Sequence, residues 1–138
     1  MKFLKISYLL FFCLALEAVI VDTGHANVSL VKFESLEGDR SKTLLGIKMD
    51  MQENWHTYWK NPGDSGGPIK VKWSHDDNIS ISELYWPTPT LIPYEPLMTY
   101  GYKNFVIFPY EINNSNDQNS FIEANIDFLI CDDVCVPE

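Results

Sequence analysis

The sequence predicts an all-β domain, an immunoglobulin-like antiparallel β-sandwich of about seven to nine short strands. Short stretches in which apolar and polar residues alternate recur along the chain. Clusters of Gly, Pro, Asn, Asp and Ser separate these stretches, and none of them shows a sustained helical period. With 46% hydrophobic and 14% aromatic residues among 138, the chain can build a single core and is not of the disordered class.

Three strands are predicted in the first half of the chain. Residues 28–34 alternate, and a turn cluster at residues 37–39 follows them. Apolar residues at every second position of residues 45–51 predict a second strand with one buried face. Residues 55–60 are an aromatic third strand. Residues 61–68, which hold two prolines and three glycines, are predicted as a loop.

Further strands are predicted in the second half. Residues 69–73 alternate, and residues 79–81 continue the pattern after a turn. Residues 105–110 are the next strand, and the Asn- and Ser-rich residues 113–120 form a turn. Residues 122–130 alternate throughout and predict the last strand.

One segment interrupts this rhythm of strands and turns. Residues 86–96 contain four prolines, which excludes them from the interior of a hydrogen-bonded sheet. Residues 97–102 follow as an apolar and aromatic stretch without strand alternation. In a small domain, a long loop with exposed apolar residues usually covers a functional site. We therefore predict that this segment covers such a site.

The net charge of the chain excludes some classes of binding partner. It carries 10 Lys and Arg against 19 Asp and Glu, a net charge of −9 at pH 7. Nucleic-acid binding needs clustered cations that displace counterions, and anionic membrane surfaces select the same cations. We therefore expect neither nucleic acid nor an anionic membrane surface as a partner.

Residues 1–26 have the pattern of a secretory signal peptide. Two lysines begin the segment, an apolar stretch fills residues 6–16, and Gly24-His25-Ala26 supplies small residues before a cleavage point. A membrane anchor needs roughly 20 apolar residues, and acidic residues interrupt this stretch too early. We predict cleavage after Ala26, which leaves residues 27–138 as one exported domain without a membrane anchor.

The predicted mature domain keeps two cysteines, Cys131 and Cys135, close to its C-terminal end. In an oxidising compartment an even number of cysteines indicates a disulfide. So short a closed loop stabilises a fold by only about 2 kcal/mol in the chain-entropy estimate, which makes a purely structural role a weak explanation. Bridging also requires a tight turn, since a fully extended chain would hold the two Cα atoms about 13 Å apart.

Three roles stay open for the cysteine pair. Short, turn-constrained disulfides are often exchange-competent, which favours a redox function. The alternatives are a non-catalytic binding sandwich with a structural disulfide and a Cu(I) module, since two thiolates suit that soft ion. His56 and His75 lack the short ligand spacing of a zinc site. We assign no metal ligands and expect no cofactor.

Four stretches, spread in order over the predicted mature domain, carry a resemblance to a known family. They are residues 55–66 (WHTYWKNPGDSG), Trp86-Pro87-x-Pro89, Tyr100-Gly101-Tyr102 and Cys131-x-x-x-Cys135-Val136-Pro137-Glu138. Together they resemble the N-terminal periplasmic domain of the DsbD/ScsB family of bacterial thiol:disulfide interchange proteins. The resemblance implies a periplasmic, immunoglobulin-like sandwich with Cys131 and Cys135 as its redox pair, in which Cys135 forms the mixed disulfide with substrate.

The resemblance also implies a cap over the redox pair, at Met98, Thr99, Tyr100 and Gly101. The better-known family domains have an aromatic residue where Thr99 stands, and five residues between the cysteines instead of three. We expect Met98 and Tyr100 to contact the disulfide turn and to shield it from small thiols. The alternative for Tyr100 is an ordinary core position.

Partners follow from the same resemblance. The family domain accepts electrons from a membrane-embedded domain and passes them to periplasmic thioredoxin-like or other disulfide-bearing proteins. Because the sequence ends at Glu138 without a membrane domain, we expect the electron donor to be a separate membrane protein, or the gene to be truncated.

Overall fold

The computed structural model describes residues 19–33, 42–115 and 120–138. Within these ranges the protein is all-β, with twelve short strands in antiparallel sheets, which confirms the predicted fold class. The strands are β1 (Ile20–Asp22), β2 (Ala26–Phe33), β3 (Lys42–Met51), β4 (His56–Gly63), β5 (Lys70–His75), β6 (Ile79–Ile81), β7 (Thr90–Tyr94), β8 (Leu97–Lys103), β9 (Phe105–Asn114), β10 (Ile122–Asp127), β11 (Leu129–Cys131) and β12 (Cys135–Pro137).

These strands pair into two five-stranded sheets and a two-stranded ribbon. The first sheet has the strand order β1-β2-β3-β9-β6, and the second has the order β12-β11-β4-β8-β7. The ribbon consists of β5 and β10. Both cysteines lie on the neighbouring strands β11 and β12 at one edge of the second sheet, so this sheet positions the candidate site.

The hydrophobic core is formed by the apolar residues that alternate along the predicted strands. Ile47 and Met49 of β3 are fully buried, and Phe108 of β9 lies opposite Ile47 in the register of the first sheet. The Phe108 ring meets Tyr102 of the second sheet edge-on, with ring centroids 5.4 Å apart. Such a pair contributes about 0.5–1.5 kcal/mol beyond its burial, and here it joins the two sheets.

Strand β4 runs further than predicted. The predicted loop at residues 61–68 begins inside β4, which ends at Gly63. The register between β4 and β8 shifts after Tyr58, and Gly63 then pairs with Thr99. Gly63 has a φ of 89°, a conformation that glycine adopts without cost at such an irregularity. The prediction is wrong for residues 61–63 because a bulged strand end has the composition of a loop.

The proline-rich segment also contains strands, which corrects the prediction of a long covering loop. β7 and β8 form an antiparallel hairpin in which Pro93 pairs with Met98. Proline lacks an N–H group and is compatible with a strand only at the edge of a sheet or at a bulge. β7 is such an edge strand. Its partner β8, predicted to have no strand pattern, lies between β4 and β7 in the second sheet.

Several predicted features fall wholly or partly outside the described residues. These are the apolar part of the leader, the turn at residues 37–39 and residues 116–119 of the turn after β9. The last predicted strand, residues 122–130, is divided between β10 and β11 at Phe128.

The end of the predicted leader is part of the described structure. β1 pairs with β2, and the side chains of Thr23 and His25 contact the carboxylate of Glu138. The His25 ring lies against Trp55 with ring centroids 4.0 Å apart. Cleavage after Ala26 stays a prediction, and cleavage there would remove these contacts. Within the described ranges, no helix has the length and apolar character needed to cross a membrane.

Candidate redox site

Cys131 and Cys135 form a disulfide that closes the β11–β12 hairpin. Their Cα atoms are 4.1 Å apart, and the Asp132 N–H donates a hydrogen bond to the Val134 carbonyl at 3.1 Å. The predicted tight turn is therefore present. The two cysteine residues differ in exposure: Cys131 is 1% exposed, whereas Cys135 is an exposed residue. A docking protein can reach only the Cys135 side of the bond.

A row of directly opposed residues crosses four strands of the second sheet at this point. Lys103 of β8 pairs with His56 of β4, His56 pairs with Cys131 of β11, and Cys131 pairs with Cys135 of β12. Directly opposed residues on antiparallel strands point to the same face of a sheet. Ile130, next to Cys131, is fully buried in the core, so the disulfide and His56 lie on the face turned away from the core.

Tyr58 is the nearest polar group to the sulfurs. Its hydroxyl donates a hydrogen bond to the Cys131 Sγ at 2.9 Å and lies 3.5 Å from the Cys135 Sγ. Burial raises the pKa of Tyr58, against a smaller opposing effect of its hydrogen bond with Ser65. The hydroxyl therefore stays protonated at neutral pH and can donate to a thiolate when the disulfide is reduced.

Sequence reasoning missed this role of Tyr58. It placed the residue in the aromatic strand of residues 55–60 without assigning it a partner, and Trp55 and Trp59 of that strand pack against the core. Tyr58 stands two positions after His56 on β4, and this period of two is the signal that places both on one face of the strand.

A cavity of about 200 Å³ lies beside the disulfide. It is lined by residues from β4, β8, the loop after β4 and the disulfide turn: His56, Tyr58, Ser65, Leu97, Thr99, Cys131, Asp132, Asp133 and Cys135. The exposed residues Asp132, Asp133 and Cys135 lie at its mouth, so the cavity opens to solvent next to Cys135.

The structure divides the predicted cap residues between two faces of β8. Leu97 and Thr99 line the cavity, and Thr99 is buried with its hydroxyl donating to the Ile92 carbonyl at 2.9 Å. Met98 and Tyr100 alternate with them, are 44% and 42% exposed, and do not line the cavity. Met98 and Tyr100, which were expected to contact the disulfide turn, thus lie on the opposite face of β8 from Leu97 and Thr99, which line the cavity beside it, because side chains alternate along a strand.

Tyr100 and Gly101 of the predicted cap stretch make contacts outside the cavity. The Tyr100 ring meets Trp59 edge-on, with ring centroids 6.4 Å apart. Gly101 pairs with Tyr58, and a Cβ at its position would stand 2.1 Å from the Thr57 carbonyl oxygen. Gly101 is therefore required for the close approach of β8 to β4.

His56 is a second side chain of this cavity whose pKa is shifted. Its pKa lies below the ordinary value of a histidine because burial disfavours the charged ring, and the positive charge of Lys103 adds to this effect. The negative charge of Asp132 acts in the opposite direction and is the smaller influence. His56 is therefore neutral at pH 7.

The other sequence-level candidates do not join this site. His75 is exposed on β5 of the two-stranded ribbon, where its ring contacts the Asp76 carbonyl. Over the described part of the chain, no three His, Cys, Asp or Glu side chains are grouped so that they could hold a metal ion.

The geometry is that of a surface disulfide with one buried sulfur, a neighbouring hydroxyl donor and a neutral histidine. A family model described as "Thiol:disulfide interchange protein DsbD, N-terminal" matches residues 27–138. The chain belongs to this family. Its membership confirms the resemblance drawn from the four sequence stretches, and it places this DsbD-type domain in the thiol:disulfide interchange class.

A solved structure shows the same fold. The N-terminal periplasmic domain of ScsB from Proteus mirabilis superposes with a TM-score of 0.63 at 24% sequence identity. The match covers 86% of this chain but 47% of the ScsB chain, so the present chain spans less than half of that protein's solved length. Among curated protein sequences no match to this chain is found.

Proposed function

We propose that this DsbD-type domain passes reducing equivalents to exported proteins through Cys131 and Cys135, as a thiol:disulfide oxidoreductase of the protein-disulfide reductase type. The observation that carries the proposal is the asymmetry of the bond, in which Cys135 is exposed and Cys131 is buried against the Tyr58 hydroxyl. A purely structural disulfide does not require one exposed and one buried cysteine. An exchange site needs one sulfur that a partner can reach and a second that is kept in reserve.

The proposed reaction has two exchange steps. The Cys135 thiolate attacks a disulfide of the partner, so that a Cys135–partner bond forms, the partner disulfide breaks, and the second partner sulfur leaves and takes up a proton. The Cys131 sulfur then attacks Cys135, which restores the Cys131–Cys135 bond and releases the first partner sulfur as a thiol. Two electrons and two protons pass to the partner, and the domain is left oxidised.

The place of this reaction is part of the proposal. We propose export through cleavage of the leader after Ala26, action in the periplasm, and partners that are thioredoxin-like or other disulfide-bearing proteins. A separate membrane protein would return electrons to the oxidised pair. The family match and the periplasmic origin of the similar ScsB domain support this setting.

Direct transfer tests the proposed function. Reduced domain, freed of small thiols, is mixed with one equivalent of an oxidised thioredoxin-like protein, and free thiols on each protein are counted by alkylation and mass spectrometry. We expect two thiols to appear on the acceptor for each disulfide formed in the domain. A measured reduction potential below about −300 mV, with no transfer, would identify a structural disulfide instead.

We also propose that Leu97 and Thr99 shield the disulfide from small thiols. Replacing Leu97 by Ala removes part of the cavity wall beside the disulfide. We therefore expect glutathione to reduce the disulfide about three- to tenfold faster, equal to roughly 0.7–1.4 kcal/mol of activation free energy. Gel-shift alkylation over time measures the rate. Met98→Ala is the matched control, because Met98 is the next residue but does not line the cavity. Equal acceleration by both variants would contradict the assignment.

A further inference from the structure

We propose that His56 accepts the proton of the Cys131 thiol when Cys131 resolves the mixed disulfide on Cys135. The inference rests on the proposed exchange function and assigns one of its steps to a residue. In the reduced domain Cys131 is a buried thiol, and the nucleophile in exchange is the thiolate. A buried thiol needs a nearby proton acceptor, since bulk water does not reach it freely.

Position identifies His56 as that acceptor. It is directly opposed to Cys131 in the register of β4 and β11, which places the two Cβ atoms about 5 Å apart on one face. Both side chains line the cavity of about 200 Å³. The His56 ring is 8% exposed and meets the Tyr58 ring edge-on, with centroids 5.2 Å apart. Among the described residues, neither ring nitrogen of His56 has a hydrogen-bond partner, so the ring is free to take up a proton.

The charged and titratable groups around His56 favour this direction of transfer. Burial, with a smaller effect of Lys103 on β8, keeps the ring neutral at pH 7 and thus able to accept a proton. The negative charge of Asp132 in the disulfide turn stabilises the imidazolium once it has formed. Asp133 also lines this cavity. Tyr58 cannot replace His56 as the acceptor, because its raised pKa keeps it a donor.

The proton and electron balance of the step is complete. The proton of the Cys131 thiol moves to a ring nitrogen of His56, and the Cys131 sulfur attacks Cys135. The Cys131–Cys135 bond forms, the Cys135–partner bond breaks, and the electron pair of that bond leaves on the partner sulfur. The partner thiolate then takes a proton from the imidazolium or from water, which returns His56 to its neutral form.

The aromatic disulfide DTNB separates this step from partner recognition. With the reduced domain in excess, attack by the exposed Cys135 releases one coloured thionitrobenzoate, and resolution by Cys131 releases the second. We expect H56Q to slow the second release at least about tenfold at pH 7, while the first release is unchanged. The rate in H56Q should then rise about tenfold per pH unit toward an ordinary thiol pKa of about 8.5, whereas the wild-type rate is nearly level above pH 7.

Controls keep the test decisive. H75Q, which alters an exposed histidine on β5, should behave as wild type, and added imidazole should restore part of the second release in H56A. Circular dichroism verifies that the variants are folded. A wild-type second release that rises tenfold per pH unit between pH 6.5 and 8 would overturn the proposal without any variant, as would an unchanged H56Q profile. Because DTNB needs no physiological partner, failure here leaves the transfer test of the proposed function independent.

Discussion

A Cys131→Ser variant is expected to trap a mixed disulfide with its partner protein, whereas a Cys135→Ser variant is expected to form none. Cys135 is exposed at the mouth of the cavity, and Cys131 is buried beneath it. A partner can therefore bond only to Cys135, and the complex persists once Cys131, the group that resolves it, is removed. Transfer of electrons to the partner should fall to the background rate in both variants.

The trapped complex gives a direct measurement. The Cys131→Ser domain is incubated with an oxidised thioredoxin-like protein, and the products are separated by non-reducing gel electrophoresis and mapped by mass spectrometry. The reduced wild-type domain, which resolves the complex rapidly, serves as the control for transient bonding. A stable complex formed by the Cys135→Ser variant through Cys131 would reverse the assigned roles, and electron transfer by either single-cysteine variant would contradict the mechanism.

The sequence predicted the fold class well because the core depends on alternation. Ile47, Met49 and Ile130 are apolar residues at every second position of their strands, and each is buried as the pattern requires. The cysteine turn was predictable for a different reason, since covalent geometry allows a bridge across so few residues only in a tight turn. Both inferences use local information alone.

What the sequence did not reveal depends on pairing between distant strands. Pro93 is tolerated because β7 lies at a sheet edge, and edge position is not visible in a single segment. Likewise, the split of the cap stretch into Thr99 facing the cavity and Met98 facing away follows from the pairing of β8 with β4 and β7. Tyr58 reaches Cys131 across 73 positions of chain, a contact that no local pattern contains.

A glycine in the loop after β4 allows the close packing that holds the Tyr58 ring next to Cys131. Gly66 has a φ of 92°, and a Cβ at its position would stand 2.2 Å from Cε1 of the Tyr58 ring. The loop cannot simply move away, because the Asp64 N–H donates to the Met98 carbonyl at 3.0 Å and Pro68 forms a bridge with Tyr58 itself. Because Gly66 has no side chain, the loop backbone can pack directly against the ring of Tyr58, whose hydroxyl donates to the Cys131 sulfur.

We accordingly expect Gly66→Ala to lower the free energy of unfolding by about 2–4 kcal/mol, from overpacking against Tyr58 and from the positive φ. For a domain of this size the loss corresponds to a fall in Tm of roughly 10 °C, measured by circular dichroism on the oxidised protein. The new methyl group should also move the Tyr58 hydroxyl from its 2.9 Å contact with Cys131 Sγ and so make the disulfide easier to reduce by glutathione.

Gly67→Ala is the matched control for this prediction, one residue further along the same loop. A Cβ there meets only the Leu129 Cδ1 at 3.5 Å, which is ordinary van der Waals contact. The substitution also restricts the unfolded chain, so we expect its Tm to be unchanged or slightly raised. If Gly66→Ala melted within about 2 °C of Gly67→Ala, the loop would not hold Tyr58 in place, and the link from the glycine motif to the redox pair would have to be abandoned.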